Sequence, residues 1–263
     1  MKKLPLLLIL LMLPLFTWAQ TRVNASEIIA KINRGEAVSY KDVEIVGNLD
    51  MTQLQNMKLE KEPDNRYNTR EYISTVTAPL TFVNCTFKGD VLAYFNPEGK
   101  QGNWQRDNSK NEVYNTNFEK AVRFENCVFE GSNAFKYSEF KGDVSFAGSR
   151  FQQEALFKYS KFSRSADFRN AKFGEEANFK YVAFPQVASF ENASFKREAN
   201  FKYAKFSKDA DFRQANFGGL ANFKYTKVAN EMNLQKAVFD GDEDFKYTQV
   251  NNRKVSRADL VNN

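Results

Sequence analysis

The chain has 263 residues, a net charge of +6 and 26 phenylalanines in a composition that is 42% hydrophobic and 27% charged. Ordinary globular cores do not show this excess of Phe, which indicates that Phe is a repeated structural unit. The sequence contains no histidine and only two cysteines, which removes the commonest general base and leaves too few thiols for a thiolate metal site. We therefore expect no cofactor and no enzymatic activity.

The N-terminus has the pattern of an export signal. Lys2 and Lys3 precede an apolar run over residues 4–16, and the small residue Ala19 marks the expected cleavage point. We predict that residues 1–19 are a signal peptide, that the mature protein is periplasmic or extracellular, and that it has no transmembrane segment. Without the two lysines, 36 basic residues face 32 acidic ones, so the mature charge is +4. This mild balance argues against a nucleic-acid partner.

The segment 20–40 contains a predicted amphipathic helix. Asn24 is a suitable N-cap, Ile28 and Ile32 have helical spacing, and Gly35 follows as a stop signal. We expect this helix to cap the open end of the repeat that follows it.

Phenylalanine then recurs with steps that alternate between five and six residues. From Phe118 to Val250 the series has 25 positions, and 22 of them are Phe. The tripeptide Phe-Lys-Tyr returns at a constant interval, starting at Phe135, Phe157, Phe179, Phe201, Phe223 and Phe245. On an α-helix these steps would scatter the rings around the axis. In a β-solenoid each step forms one side of a coil, and four sides close one turn. The number of residues in such a turn equals the interval between successive Phe-Lys-Tyr tripeptides.

The residue two positions before each central Phe is small, and the residue just before it is often Asp or Asn. Ala166-Asp167-Phe168 shows the pattern. Because side chains alternate along a strand, the small residue and the Phe both face the interior. This small-Asp/Asn-Phe pattern resembles the pentapeptide-repeat family. The resemblance implies an all-β fold, a right-handed quadrilateral parallel β-helix, although every second step here carries one residue more than in the family's simplest coil.

We assign residues 41–263 to the solenoid, although the repeat pattern is less dense in the N-terminal half of this range. Two polar stretches near 52–75 and 94–117 fall out of register, and we predict that both are loops. At the other end, the segment from Ala258 to Leu260 is expected to be a last degenerate repeat.

Stacked coils turn each position of the repeat into a column along the solenoid. A lysine column and a tyrosine column lie side by side, and with Trp104 of the second loop they form the candidate binding face for an unidentified protein or glycan: Lys158, Tyr159, Lys180, Tyr181, Lys202, Tyr203, Lys224 and Tyr225. The alternative interpretation is structural, with stacked aromatic side chains and lysines that protect strand edges.

These features predict a non-catalytic exported scaffold or binding surface in the cell envelope. The alternative is a carbohydrate-active or carbohydrate-binding β-helix protein, because coils of this length are also common in polysaccharide-lyase solenoids. The clustered acids and basic catalytic residue that such an enzyme needs are not visible in the sequence. A DNA mimic would need a strongly acidic surface and a cytoplasmic location, whereas this chain has a positive net charge and a predicted export signal, which argue against it.

The two cysteines occupy matching repeats. Cys85 and Cys127 each follow an Asn within a Phe-containing unit, and we expect them to be stacked at the head of an inward column continued by Ser149 and Ala171. Two interpretations are open: a disulfide bond, which an oxidising compartment permits, or a pair of buried small hydrophobic side chains.

Overall fold

The computed structural model describes residues 20–62, 69–97 and 111–261. The predicted signal peptide and Trp104 lie outside these residues. The chain winds through four β-sheets, in which nearly all strand pairs are parallel, and each coil adds one short strand to each sheet. This is the quadrilateral β-helix that the Phe spacing predicts. We number the sheets as faces 1 to 4 in the order in which each regular coil passes through them.

Face 1 has nine strands: Thr21–Asn24, Val43–Val46, Thr86–Phe87, Val128–Phe129, Arg150–Phe151, Lys172–Phe173, Ser194–Phe195, Asn216–Phe217 and Val238–Phe239. Face 2 has eight: Leu49–Asp50, Val91–Leu92, Asn133–Ala134, Ala155–Leu156, Ala177–Asn178, Ala199–Asn200, Ala221–Asn222 and Glu243–Asp244. Face 3 has eleven: Lys58–Lys61, Thr69–Val76, Tyr94–Phe95, Asn111–Phe118, Glu139–Phe140, Lys161–Phe162, Ala183–Phe184, Lys205–Phe206, Lys227–Val228, Gln249–Val250 and Arg253–Lys254. Face 4 has eight: Val38–Lys41, Leu80–Val83, Val122–Glu125, Val144–Ser145, Ala166–Asp167, Ala188–Ser189, Ala210–Asp211 and Met232–Asn233.

The core consists of stacked phenylalanines, as the alternation of inward and outward side chains predicts. Phe168 is 0% exposed and stacks on Phe190 in the next coil, with ring centroids 4.9 Å apart and planes 1° apart. Within one coil the rings meet edge to face, as Phe168 and Phe179 do at 82°. Small residues such as Ala166 fill the remaining inward positions. Parallel stacks between coils and edge contacts within them are both common aromatic arrangements.

The alternation of five and six residues corresponds to two kinds of corner. Steps of five residues, such as Phe135 to Phe140, cross the corner between faces 2 and 3 or the one between faces 4 and 1. Steps of six, such as Phe140 to Phe146, cross the other two corners. The extra residue therefore recurs at the same places in successive coils and leaves the strand pairing undisturbed.

Within the described residues, the two polar stretches that the sequence predicts to be loops contain paired strands, so the loop prediction was wrong for those segments. Lys58–Lys61 pairs antiparallel with Thr69–Val76, and Tyr94–Phe95 pairs antiparallel with Asn111–Phe118. We name these pairs the first arm and the second arm. Their long strands pair in parallel along their whole length. Only the last residue of the second arm pairs with the next coil, so most of each arm extends beyond the regular repeat.

The sequence pattern failed in the arms because it tracks core residues only. The arm strands alternate polar residues with β-branched or aromatic ones, as in Thr69–Val76, and most of their side chains are partly or fully exposed. Such strands need no inward Phe, although their composition still favours β-structure.

Helices lie at both ends of the described solenoid. Helix α1 (Ala25–Asn33) buries Ala25, Ile28 and Ile32 against the first coil, which confirms the predicted N-terminal helix. Helix α2 (Arg257–Val261) is found where a last degenerate repeat was expected, and its Leu260 packs against the C-terminal end of the core.

Candidate functional site

The lysine and tyrosine columns occupy one corner of the solenoid, between faces 2 and 3, which we name the tyrosine corner. At each rung, Phe, Lys, Tyr and the next residue form a four-residue turn. In one of them the Ala204 N–H donates to the Phe201 carbonyl oxygen at 2.9 Å. Tyr203 is the third residue of this turn and has a φ of 61°, as a type II turn requires. The other five rungs repeat this positive φ, with values of 61° to 64°, at Tyr137, Tyr159, Tyr181, Tyr225 and Tyr247.

The diagonally opposite corner, between faces 4 and 1, has the same left-handed backbone but different residues. We name it the asparagine corner. Its left-handed positions are Asp42, Asn84, Asn126, Gly148, Asn170, Asn192, Gln214 and Lys236. Asn, Asp and Gly are the residues that tolerate this conformation, whereas a bulky side chain there is strained by roughly 1–3 kcal/mol. The tyrosine corner therefore carries an aromatic residue where backbone preference favours Asn or Gly.

The tyrosine rings form a continuous ladder. The ring centroids of Tyr137 and Tyr159 are 5.1 Å apart, and those of Tyr225 and Tyr247 are 4.8 Å apart. Each of the three successive pairs from Tyr159 to Tyr225 has a centroid distance of 4.7 Å. Such pairs contribute roughly 0.5–1.5 kcal/mol each. This gain is similar in size to the backbone strain, so stability alone does not explain why Tyr occupies every rung.

Each lysine of the neighbouring column lies over the tyrosine of its own rung. The Nζ atoms of Lys158, Lys180, Lys202 and Lys224 are 5.2, 5.3, 5.5 and 5.8 Å from the ring centroids of the tyrosines that follow them. These are cation–π distances. We name the two columns together, from Lys136 to Tyr247, the Lys–Tyr stripe. All the described residues of the predicted binding face lie in it, and Tyr181 is 38% exposed.

The stacked ammonium groups repel one another. Burial lowers the pKa of Lys158, and the charges of Lys136 and Lys180 in the adjacent coils lower it further. On face 2, burial raises the pKa of Glu176, with a second contribution from the Glu198 carboxylate. Glu154, Glu176 and Glu198 form an acidic column beside the six lysines of the stripe, so three acids offset only part of the lysine charge. The stripe is therefore well suited to an anionic ligand.

Both arms are inserted at the tyrosine corner. In the regular repeat Val128 pairs with Arg150 one turn later, whereas Thr86 pairs with Val128 across a stretch of chain almost twice as long, because the second arm lies between them. The Thr116 N–H still donates to the Ala93 carbonyl oxygen at 2.9 Å, which is the bond that closes the turn in every later rung. The first arm adds the same length, since Glu44 pairs with Thr86. The arms therefore stand at the N-terminal end of the Lys–Tyr stripe.

A cleft of about 350 Å³ lies where the stripe meets the arms. Glu71, Tyr94 and Val113 line it from the arms, and Lys136 and Tyr137 line it from the stripe. Sequence reasoning missed this site because the arms were read as loops. In the N-terminal part of the chain the repeat has a longer period, because Leu49-Asp50 aligns with Val91-Leu92. This longer period was the signal that could have revealed the inserted arms and the cleft beside them.

Cys85 and Cys127 are stacked in adjacent coils, as expected, and the structure holds both as buried free thiols. Their side chains are 1% and 0% exposed. A hydrogen bond between the two thiols lowers the pKa of Cys85 to about 7 and raises that of Cys127. The buried Ser149 occupies the same position in the next coil and so continues the column that the two cysteines begin.

Within residues 20–62, 69–97 and 111–261, no group of three or more Cys, Asp or Glu side chains is arranged to hold a metal ion. Over the same ranges no helix is both long and apolar enough to cross a membrane.

Comparison with known proteins agrees with the repeat geometry. The family model described as Pentapeptide repeats (9 copies) matches residues 114–160, 157–205, 179–227 and 201–249, which together cover more than half of the chain. No curated protein and no solved structure matches significantly. The matched residues include the stacked phenylalanine core from Phe118 onwards and the whole Lys–Tyr stripe. The chain therefore belongs to the pentapeptide-repeat family, whose members are generally non-enzymatic structural or binding proteins.

Proposed function

We propose that this protein is an exported scaffold that binds a glycan of the cell envelope along its Lys–Tyr stripe. The observation that carries the proposal is the occupation of six consecutive left-handed positions by Tyr, when the asparagine corner meets the same backbone requirement with Asn, Asp or Gly at six of its eight positions. A residue retained in spite of backbone strain points to a functional demand on its side chain.

The chemistry of the stripe suits a sugar polymer. Aromatic rings offer flat apolar faces with a polar hydroxyl edge, and exposed apolar surface of this kind marks binding sites. The lysines beside the rings supply hydrogen-bond donors and positive charge at every rung. Because the rungs repeat with the coil, the stripe presents the same group at regular intervals to a ligand that is itself a repeating chain.

The export part of the proposal rests on Lys2, Lys3 and the apolar run that follows them. Cell fractionation and N-terminal sequencing of the mature protein test it. We expect the protein in the envelope or the medium, beginning at Gln20. An intact Met1 on a cytoplasmic protein would contradict export.

Binding is tested by pull-down on insoluble peptidoglycan and on a panel of immobilised glycans. The test variant is Tyr181→Asn/Tyr203→Asn, because Asn keeps the left-handed backbone that Ala would disfavour. The matched control is Tyr181→Phe/Tyr203→Phe, which keeps both rings. We expect the Asn variant to lose binding and the Phe variant to retain most of it. Equal retention of the wild type and the Asn variant on every matrix would rule out the stripe as the binding surface.

A further inference from the structure

The N-terminal end of the Lys–Tyr stripe differs from its other rungs. Tyr137 stacks on Tyr159 with planes 4° apart. On the other side of Tyr137, the Tyr94 ring is tilted by 56° and its centroid lies 5.9 Å away. The ladder therefore opens at this end and does not continue as a parallel stack onto the arms.

Lys136 occupies the opening. Its Nζ lies 4.5 Å from the centroid of the Tyr94 ring and 4.8 Å from that of Tyr137, and it donates to the Tyr94 hydroxyl at 3.1 Å. Two aromatic rings that are not parallel, with an ammonium group against both, form a pocket floor with an apolar surface and a fixed positive charge.

The arms form the opposite wall of the cleft. Lys61 of the first arm brings a second ammonium group, and Glu71 brings a carboxylate that accepts a hydrogen bond from the Asn115 side-chain amide. Cations and an acid around an aromatic floor match a sugar that carries both a carboxylate and hydroxyl groups. A volume of about 350 Å³ is at the low end for small-molecule sites and suits a unit of about one sugar.

We propose that this cleft binds the terminal residue of an acidic glycan, and that the rest of the chain runs from it along the Lys–Tyr stripe. The inference rests on the proposed function. It adds the charge of the glycan and the direction in which the glycan chain runs along the stripe. Chain ends are held between the arms and Tyr137, and the following sugars lie over successive rungs towards Tyr247. The arms close one end of the stripe, so binding has one polarity and needs a free chain end.

The test uses isothermal titration calorimetry of the mature protein with trigalacturonate, hexagalacturonate and, as a neutral probe, cellohexaose. The cleft variant is Lys61→Gln, on an exposed arm residue whose substitution leaves the core intact, and Val113→Phe is a second variant that fills the cleft. The stripe variant is Tyr203→Asn/Tyr225→Asn, remote from the arms. Circular dichroism and melting temperature check that each variant is folded.

We expect both cleft variants to weaken trimer and hexamer binding by about tenfold, since a charge-assisted contact or the site itself is lost. The stripe variant should weaken hexamer binding and leave trimer binding unchanged. Wild-type affinity of both cleft variants for the trimer and the hexamer would overturn the end site while leaving stripe binding intact. Equal affinity for cellohexaose would overturn the requirement for an acidic ligand. An unchanged hexamer affinity in the stripe variant would instead refute the proposed function, together with the path along the stripe.

Discussion

Tyr181 and Tyr203 stack with ring centroids 4.7 Å apart and planes 2° apart, while both residues hold a φ of 61°. The stack and the strained backbone belong to the same residues, so each rung combines a stabilising contact with a destabilising conformation. Because the two terms have similar magnitudes, the ladder adds little net stability. What it provides is a flat aromatic surface at a fixed position on a rigid support.

The first prediction concerns this balance. Replacing Tyr203 with Asn removes two ring contacts and relieves the left-handed strain, so the free energy of unfolding should change by no more than about 1 kcal/mol. Replacing it with Ile removes the same contacts and leaves a β-branched residue in the strained conformation, which should destabilise the protein by about 2 kcal/mol or more. Urea unfolding of the two variants measures the difference. A large loss of stability in Tyr203→Asn would show that the ladder is chiefly a structural element.

The second prediction concerns the core. Phe179 is 0% exposed and stacks on Phe157 and Phe201, each 5.0 Å away. Phe179→Ala should cost about 3–5 kcal/mol, because it opens a cavity in the middle of the stack. Phe239→Ala, at the C-terminal end of the core where burial is partial, should cost less, since each coil of a solenoid contacts only its neighbours. Denaturant unfolding compares the pair, and equal costs would contradict the nearest-neighbour description.

Much of this core was predictable from the sequence. The series of Phe residues at alternating steps, with Ala166 and its equivalents two positions earlier, defines which side chains face inward, and the buried columns follow from it. The register between successive coils was also predictable, because equivalent core positions carry the same type of residue in each coil. The N-terminal helix was recognisable from the helical spacing of Ile28 and Ile32.

The candidate site was only partly predictable. The Lys and Tyr columns were visible, but the left-handed conformation of Tyr203 was not, since Tyr has no preference for it and only the closure of the coil imposes it. The arms were missed because exposed strands do not need core residues. Helix α2 was missed because Leu260 fits both a degenerate repeat and a short helix.

The third prediction concerns pH. Burial, with a contribution from Glu198, raises the pKa of Glu176 in the folded protein above its usual value. Its protonated form is therefore favoured by folding, and the associated stability is present below the unfolded pKa and lost as pH rises through the folded pKa. Glu176→Gln, which resembles the protonated form, should melt at a higher temperature than wild type at pH 7 and at a similar temperature near pH 4.

Glu175→Gln is the matched control for this experiment. Glu175 is the exposed neighbour of Glu176 and forms an ion pair with Arg197 at 3.8 Å. Its substitution should give no gain in melting temperature at pH 7. A gain of equal size in the control, or none in Glu176→Gln, would contradict the assignment.

The fourth prediction concerns the cysteine pair. Under partly denaturing conditions, which expose the buried pair to oxidised glutathione, the Cys85 thiolate should form a mixed disulfide and release one reduced glutathione, and Cys127 should then displace the second. The product is an intramolecular Cys85–Cys127 bond that closes a loop of about 40 residues, for which chain entropy predicts a stabilisation of roughly 4 kcal/mol. Intact mass, thiol titration and urea unfolding follow the reaction, with Cys127→Ser as the control. Persistent free thiols after oxidation under partly denaturing conditions and refolding would refute the bond.

Lysine footprinting tests the binding surface most directly. The folded protein is acetylated with and without hexagalacturonate, and mass spectrometry compares the extent of modification at each lysine. The Lys–Tyr stripe predicts that the ligand protects Lys158, Lys180 and Lys202, while Lys172 and Lys196 on the side of face 1 react as before. Protection of Lys172 and Lys196 with the stripe lysines left reactive would contradict the account.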